Sequence, residues 1–88
     1  MERKTDQDNG RAHDRRALGR ALRELRKKAG LTQEELAARA GTDNTYISHA
    51  EAGRFGVGWD TVMRLVRATD STISELAREV ERQLDGER

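Results

Sequence analysis

Asn44, Thr45, Ser48 and His49 are short hydrogen-bonding side chains spaced so that a helix gathers them on one side. At about 100° per residue they fall, with Ala52, within an arc of about 140°. Tyr46, Ile47 and Ala50 take the opposite arc, and Glu51 sits at the boundary beside Ile47. The polar face carries no Lys, Arg or Glu, the residues that ordinarily cover a solvated helix. Its chemistry is recognition. Asn pairs bidentately with adenine in the major groove, Thr and Ser offer a hydroxyl to several bases, and the Thr methyl suits thymine. His adds one donor or acceptor, or two donors when charged. On this helix alone, simple solvation of a polar face is the more economical explanation, and the flanking segments must decide.

Catalytic chemistry finds no comparable grouping. His13 and His49 are the only histidines and lie in separate segments, with no Ser-His-acid or two-His metal spacing. Glu34 and Glu35 are adjacent, so they point to different faces and serve a helix N-terminus. The "GVG" of Gly56 to Gly58 lacks the lysine and the preceding strand of a phosphate loop. With no cysteine, neither a disulfide framework nor a thiolate metal site can form. Neither an enzyme nor a cofactor or metal is expected.

The elements that must hold the polar face follow from local signals. From about Arg15 to Ala29, Leu18, Ala21, Leu22, Leu25 and Ala29 recur at three- and four-residue steps, and Gly30 ends that helix. "TQEE" places Thr32 at an N-cap and Glu35 three residues on, a capping box. The helix it opens runs through Leu36, Ala37 and Ala40 to Gly41. Asp43 caps a third helix, Asn44 to Ala52, whose inward anchor is Ile47 and which ends before Gly53. After the loop "RFGVG", a fourth helix starts near Trp59 with the stripe Trp59, Val62, Met63, Leu65 and Val66. "TISE" is a second capping box, opening a fifth helix over 72–85. Residues 1–14 are polar and aperiodic, and read as a disordered basic arm in which Arg3, Lys4 and Arg11 are within reach of a phosphate backbone.

Composition agrees with helices. Apolar residues make up 34% and aromatics 3%, too little for a sheet sandwich, and proline is absent. Eighty-eight residues form one small domain that buries only about 60% of its unfolded surface, so a second subunit would add stability. No window approaches 18 consecutive apolar residues and no signal-peptide core is present, so a cytoplasmic protein without membrane contact is expected. Net charge is +1, but it is unevenly spread. Residues 1–30 carry ten basic against five acidic residues, and 31–88 carry seven against eleven. The basic first third points to a polyanion-facing side.

The spacings taken together are specific. "LRELRKKAGLTQEELAARAG", then "YISHAEAG", then "WDTVMRLVRA" resemble the helix-turn-helix of the Cro and phage-repressor (XRE) family, from Leu18 to about Val80. The resemblance implies an all-α, five-helix lambda-repressor-like domain. It further implies that Asn44, Thr45 and His49 read bases, with Ser48 beside them. Gln33 at its helix N-terminus, Tyr46, Arg54, Phe55 and Gly56 would approach phosphates. Arg26 and Glu51 match a pair that forms an internal salt bridge in this family. The implied function is a transcriptional regulator, a repressor on a palindromic operator of double-stranded DNA, acting as a homodimer. The Ile73, Leu76, Val80 and Leu84 stripe of the last helix is the expected dimer element; covering the first helix is an equally good use for it. The alternative function is a protein-binding module, such as an antitoxin, engaging a partner protein through the arm or the last helix. Three features depart from the family pattern. Ala50 stands where a large apolar residue is usual, and Trp59 or Phe55 is expected to fill that space. Gly56 to Gly58 replace the common Pro-Ser, and Thr69, Asp70 and Ser71 replace the usual turn.

Overall fold

A computed structural model describes the backbone of residues 2–86 and the side chains of residues 10–86. Its helices are α1 (Glu2–Lys28), α2 (Gln33–Ala40), α3 (Asn44–Glu51), α4 (Trp59–Ala68) and α5 (Ile73–Gly86). No strand occurs among the described residues.

The local signals act as their chemistry requires. Thr32 Oγ1 accepts from the Glu35 backbone N–H at 3.0 Å while the Glu35 carboxylate accepts from the Thr32 N–H at 2.8 Å. Two orphan donors of α2 are thereby satisfied. Thr72 and Glu75 repeat the device at α5, at 3.1 and 2.9 Å. Gly41 closes α2 in the left-handed region, φ 71°, where a β-carbon would be strained. Asp43 then caps α3 by accepting from the Tyr46 N–H at 2.8 Å. Only three residues therefore separate α2 from α3, and the turn is sharp.

The largest difference from expectation is at the N-terminus. α1 begins at Glu2, so the segment expected as an irregular arm continues the first helix. Nothing between Arg3 and Asp14 forbids this: there is no proline, and once the packed part of α1 is nucleated each added residue gains a hydrogen bond. The side chains of Arg3 and Lys4, expected near a phosphate, lie outside the described residues.

The core is built from Leu22 and Leu25 of α1, Leu36 of α2, Ile47 of α3, Val62, Leu65 and Val66 of α4, and Leu76 of α5. α5 lies along α1. Leu76 is only 5% exposed and belongs to this core, with Ile73 and Val80 packed against it. Leu76 is thus unavailable to a partner, which corrects its assignment to a dimer surface. Leu84 is half-buried. A second correction concerns Trp59, which is 63% exposed rather than part of the α4 core stripe.

Nor does Trp59 compensate for the small Ala50. α1 itself comes to α3 there. A β-carbon at Gly19 would lie 2.5 Å from the Ala50 carbonyl oxygen and 2.6 Å from that of Glu51. Gly53, at φ 74°, meets the Arg16 backbone in the same way, with its β-carbon position 2.8 Å from Cα. At this crossing the α1 backbone at Gly19 lies directly against the last carbonyls of α3.

Gly19→Ala sets helix propensity, a gain of up to about 1 kcal/mol, against a clash with two backbone carbonyls. The Ala50 carbonyl accepts from the Gly53 N–H at 3.1 Å, so moving it would disturb the turn that closes α3. We expect the clash to win by about 1–3 kcal/mol, read as a lower urea midpoint; equal stability would refute the close approach. The Glu35 carboxyl is held below the ordinary glutamate range by its hydrogen bonds to the Thr32 backbone and hydroxyl. Its folded value lies below its unfolded one, so the cap's contribution is full above the ordinary range and disappears as pH falls through the lowered value. A carboxyl NMR titration checks this, and a Glu35 midpoint at or above that of an unstructured peptide would contradict it.

Candidate nucleic-acid interface

α3 is an eight-residue helix with a packed side and an open side. Ile47 and Ala50 are 1% and 2% exposed, and they determine which way the helix is turned. Asn44 and Thr45 are exposed in its first turn, while Ser48 and His49 are half-buried in its second. The four expected reading residues are therefore on one helix, with the two N-terminal ones most accessible.

The rotation of α3 is locked from behind by charge. Arg26 of α1 meets Glu51 through Nε to Oε2 at 2.7 Å and Nη2 to Oε1 at 3.0 Å. That fork is the bidentate geometry guanidinium and carboxylate prefer. The two side chains are 12% and 5% exposed, so the expected pair is present and largely out of water. Arg26 also donates from Nη1 to the Leu31 carbonyl at 2.8 Å, which pins the α1–α2 connection. Gln33, placed at a phosphate by resemblance, donates one amide N–H to Glu51 Oε1 at 3.0 Å. Its second amide hydrogen remains for a ligand. One carboxylate thus joins α1, α2 and α3.

Beyond α3 the chain turns at Gly53, and the Arg54 N–H donates to the His49 carbonyl at 3.1 Å. The Arg54 side chain is exposed. Tyr46 packs its ring on Phe55, centroids 5.0 Å apart and planes tilted by 40°, so both brace the start of the loop.

Sequence reasoning missed α1's part in this surface. Arg15 rests its Cδ 3.8 Å from the β-carbon position of Gly56, and its Nε is buried with no hydrogen-bond partner. Arg23 lines a groove of about 320 Å³ with Arg26, Gln33, Ser48, Glu51 and Ala52. The available signal was Gly19, an isolated glycine inside a helical pattern, which marks a close approach. No cluster of three or more His, Cys, Asp or Glu suited to a metal occurs among the described residues.

Two short helices joined by a sharp turn, the second braced from behind with short polar side chains outward, define a helix-turn-helix protein. The model of the helix-turn-helix domain family matches residues 17–79, and the chain belongs to that family, in its Cro and phage-repressor type. It is 37% identical over 62 residues to the uncharacterized HTH-type transcriptional regulator y4dJ of Sinorhizobium fredii, covering 70% of this chain and 80% of that protein. Its fold is similar to that of the clp gene regulator ClgR of Corynebacterium glutamicum, with TM-score 0.74 and 31% identity over 77% of this chain and 88% of that one. It is also similar to the restriction-modification controller protein C.AhdI of Aeromonas hydrophila, with TM-score 0.70 and 37% identity over 74% of this chain and 94% of that one.

Glu51→Ala leaves the Arg26 guanidinium largely buried without its counter-charge, and we expect a loss of about 3 kcal/mol. Replacing both residues with apolar ones of similar size should cost much less. Thermal unfolding of the single and double variants checks this; equal losses would mean that the ion pair is not what the single variant breaks.

Proposed function

We propose that this protein is a sequence-specific DNA-binding transcriptional regulator that represses by occupying a palindromic operator as a dimer. The observation that carries this is the orientation of α3. Ile47 and Glu51 hold one side of the helix, and Asn44 and Thr45 stand open on the other. In the major groove Asn44 reads adenine and Thr45 contacts a thymine methyl or a base edge, with Ser48 and His49 following. All four side chains are short, so DNA shape adds to the few base bonds.

Phosphates are met on both sides of α3. On one side are the N-terminal N–H groups of α2 and the second amide hydrogen of Gln33. On the other are Tyr46, Arg54 and the loop at Phe55 and Gly56. Arg15 and Arg23 extend this set along α1. The activity is binding, not catalysis, and its place is the cytoplasm, where DNA is reached. Among the described residues no helix is long and apolar enough to cross a membrane. The relatives are named as regulators, which favours DNA over an antitoxin-like protein partner.

Selection from a random duplex pool tests the reading. The wild type should enrich a two-fold symmetric sequence, and Asn44→Ala and His49→Ala should each lose preference at particular positions while still folding. Variants that select the same sequence as the wild type would remove these residues from base reading. Log affinity should fall with log salt by about 0.9 per phosphate neutralised, and Arg23→Gln should lower that slope by about one. Binding indifferent to both sequence and salt would end the proposal.

A further inference from the structure

Arg39 of α2 and Arg64 and Arg67 of α4 border one open cavity of about 280 Å³, and no acidic side chain lines it. All three arginines are exposed. Arg39 donates to the Ala68 carbonyl at 3.3 Å and Arg64 to the Thr61 hydroxyl at 3.2 Å. None of the three forms an ion pair with a described residue. Glu35, one turn before Arg39 on α2, already accepts from the Thr32 N–H. Helix ends account for part of this arrangement, because a cation in a last turn meets the negative end of its helix dipole. That explains Arg39 and Arg67. It does not explain Arg64, nor the residues beside it.

Arg64 and Arg67 also line a second groove, of about 670 Å³, together with Trp59, Asp60 and Met63. Trp59 and Asp60 stand in the first turn of α4, Met63 one turn on, and Arg67 in the last turn. Trp59 is the one large exposed hydrophobic among the described residues, and Met63 is half-buried. Val62, Leu65 and Val66 already supply what α4 gives to the core. The outward strip therefore begins apolar, with one carboxylate beside it, and ends in three guanidinium groups. From Trp59 to Arg67 it runs about 12 Å.

We propose that this strip binds an acidic, amphipathic segment of another protein, with its carboxylates on the arginines and its apolar side chains on Trp59 and Met63. Charge complementarity carries the choice of partner. Guanidinium groups take carboxylates in bidentate pairs, and like charges grouped without a counter-ion gain most from an incoming anion. Tryptophan and arginine are also the residue types that most often dominate a protein interface. A nucleic-acid strand fits less well. It needs successive aromatic platforms along a cationic track, whereas Trp59 stands alone and Asp60 beside it repels phosphate. A strip of this length matches about two turns of a helix laid in a groove. None of its residues is among those on α3 that face DNA, so the acidic partner binds beside a duplex and does not replace it. That use rests on the regulator reading; the contact itself does not.

The probe is a synthetic, tryptophan-free amphipathic helix with Leu and Phe along one face and Glu on its flanks. Versions with Gln or Lys in place of Glu serve beside it. Trp59 is the only tryptophan in the chain, so its emission reports the contact directly. The Glu peptide should move that emission to shorter wavelength and saturate, and the Gln peptide should bind at least about tenfold more weakly. Arg64→Glu with Arg67→Glu, at surface positions, should fold as judged by circular dichroism. It should lose the Glu peptide by about tenfold or more and gain the Lys peptide, which mere damage to α4 would not do. Equal binding of the Glu and Gln peptides overturns the proposal, as does a double variant that holds the Glu peptide like the wild type. So does a single-stranded oligonucleotide that displaces the peptide at lower concentration, or Trp59 emission that shifts on protein dilution alone. The first would give the strip to nucleic acid, the second to another copy of the chain. Duplex selection separates the two readings. The double variant should enrich the same sequence as the wild type; loss of selection in the variant alone would assign the arginines to DNA and overturn the proposal. Absence of any preference in both proteins would defeat the regulator reading and leave the peptide result standing.

Discussion

The carboxylate of Glu51 is the point on which the arrangement depends. It sits 5% exposed at the end of α3 and accepts from Arg26 on α1 and from Gln33 on α2. Apolar burial could hold α3 in place, but Ile47 and Ala50 alone leave it some freedom to roll. A bidentate fork has a direction, and rolling α3 would break it. Desolvation offsets much of the energy such a pair returns, so its contribution is geometry more than stability. The geometry concerns function, because the same roll would carry Asn44 and Thr45 away from whatever lies in front of them.

Small residues make that lock possible. Gly19 lets the backbone of α1 touch the carbonyls of Ala50 and Glu51, and Gly53 does the same at Arg16. With α1 this close, the Arg26 side chain reaches Glu51 with its stem packed and its head paired. A larger residue at Gly19 would push α1 outward and lengthen the fork. The absence of a side chain at Gly19 is therefore part of the same solution as the ion pair.

The close approach of α1 also bears on electrostatics. The uneven charge of the chain concentrates basic residues in its first third, and the fold lays part of that segment beside α3 and its following loop. Arg23 borders Ser48 and Ala52, and Arg15 rests against Gly56. A duplex held on α3 would meet cations from α1 as well as from the turn.

What could be read from residues alone was whatever a few neighbours decide. Capping boxes at Thr32 and Thr72, the left-handed Gly41, the Asp43 cap and the two sides of α3 all depend on contacts within one or two turns. Those elements stand where their signals put them. Three-dimensional packing decided the rest. Periodicity marks an apolar stripe without saying what covers it, so Leu76 went to the core and Trp59 to the surface against expectation. An aperiodic polar segment says nothing about continuing a helix that is nucleated elsewhere, so α1 begins at Glu2. The neighbour of Ala50 is a glycine 31 positions earlier, a distance in sequence over which no local rule acts. Helix faces are written in the chain, but which faces meet is settled only when all five helices compete for the same small core.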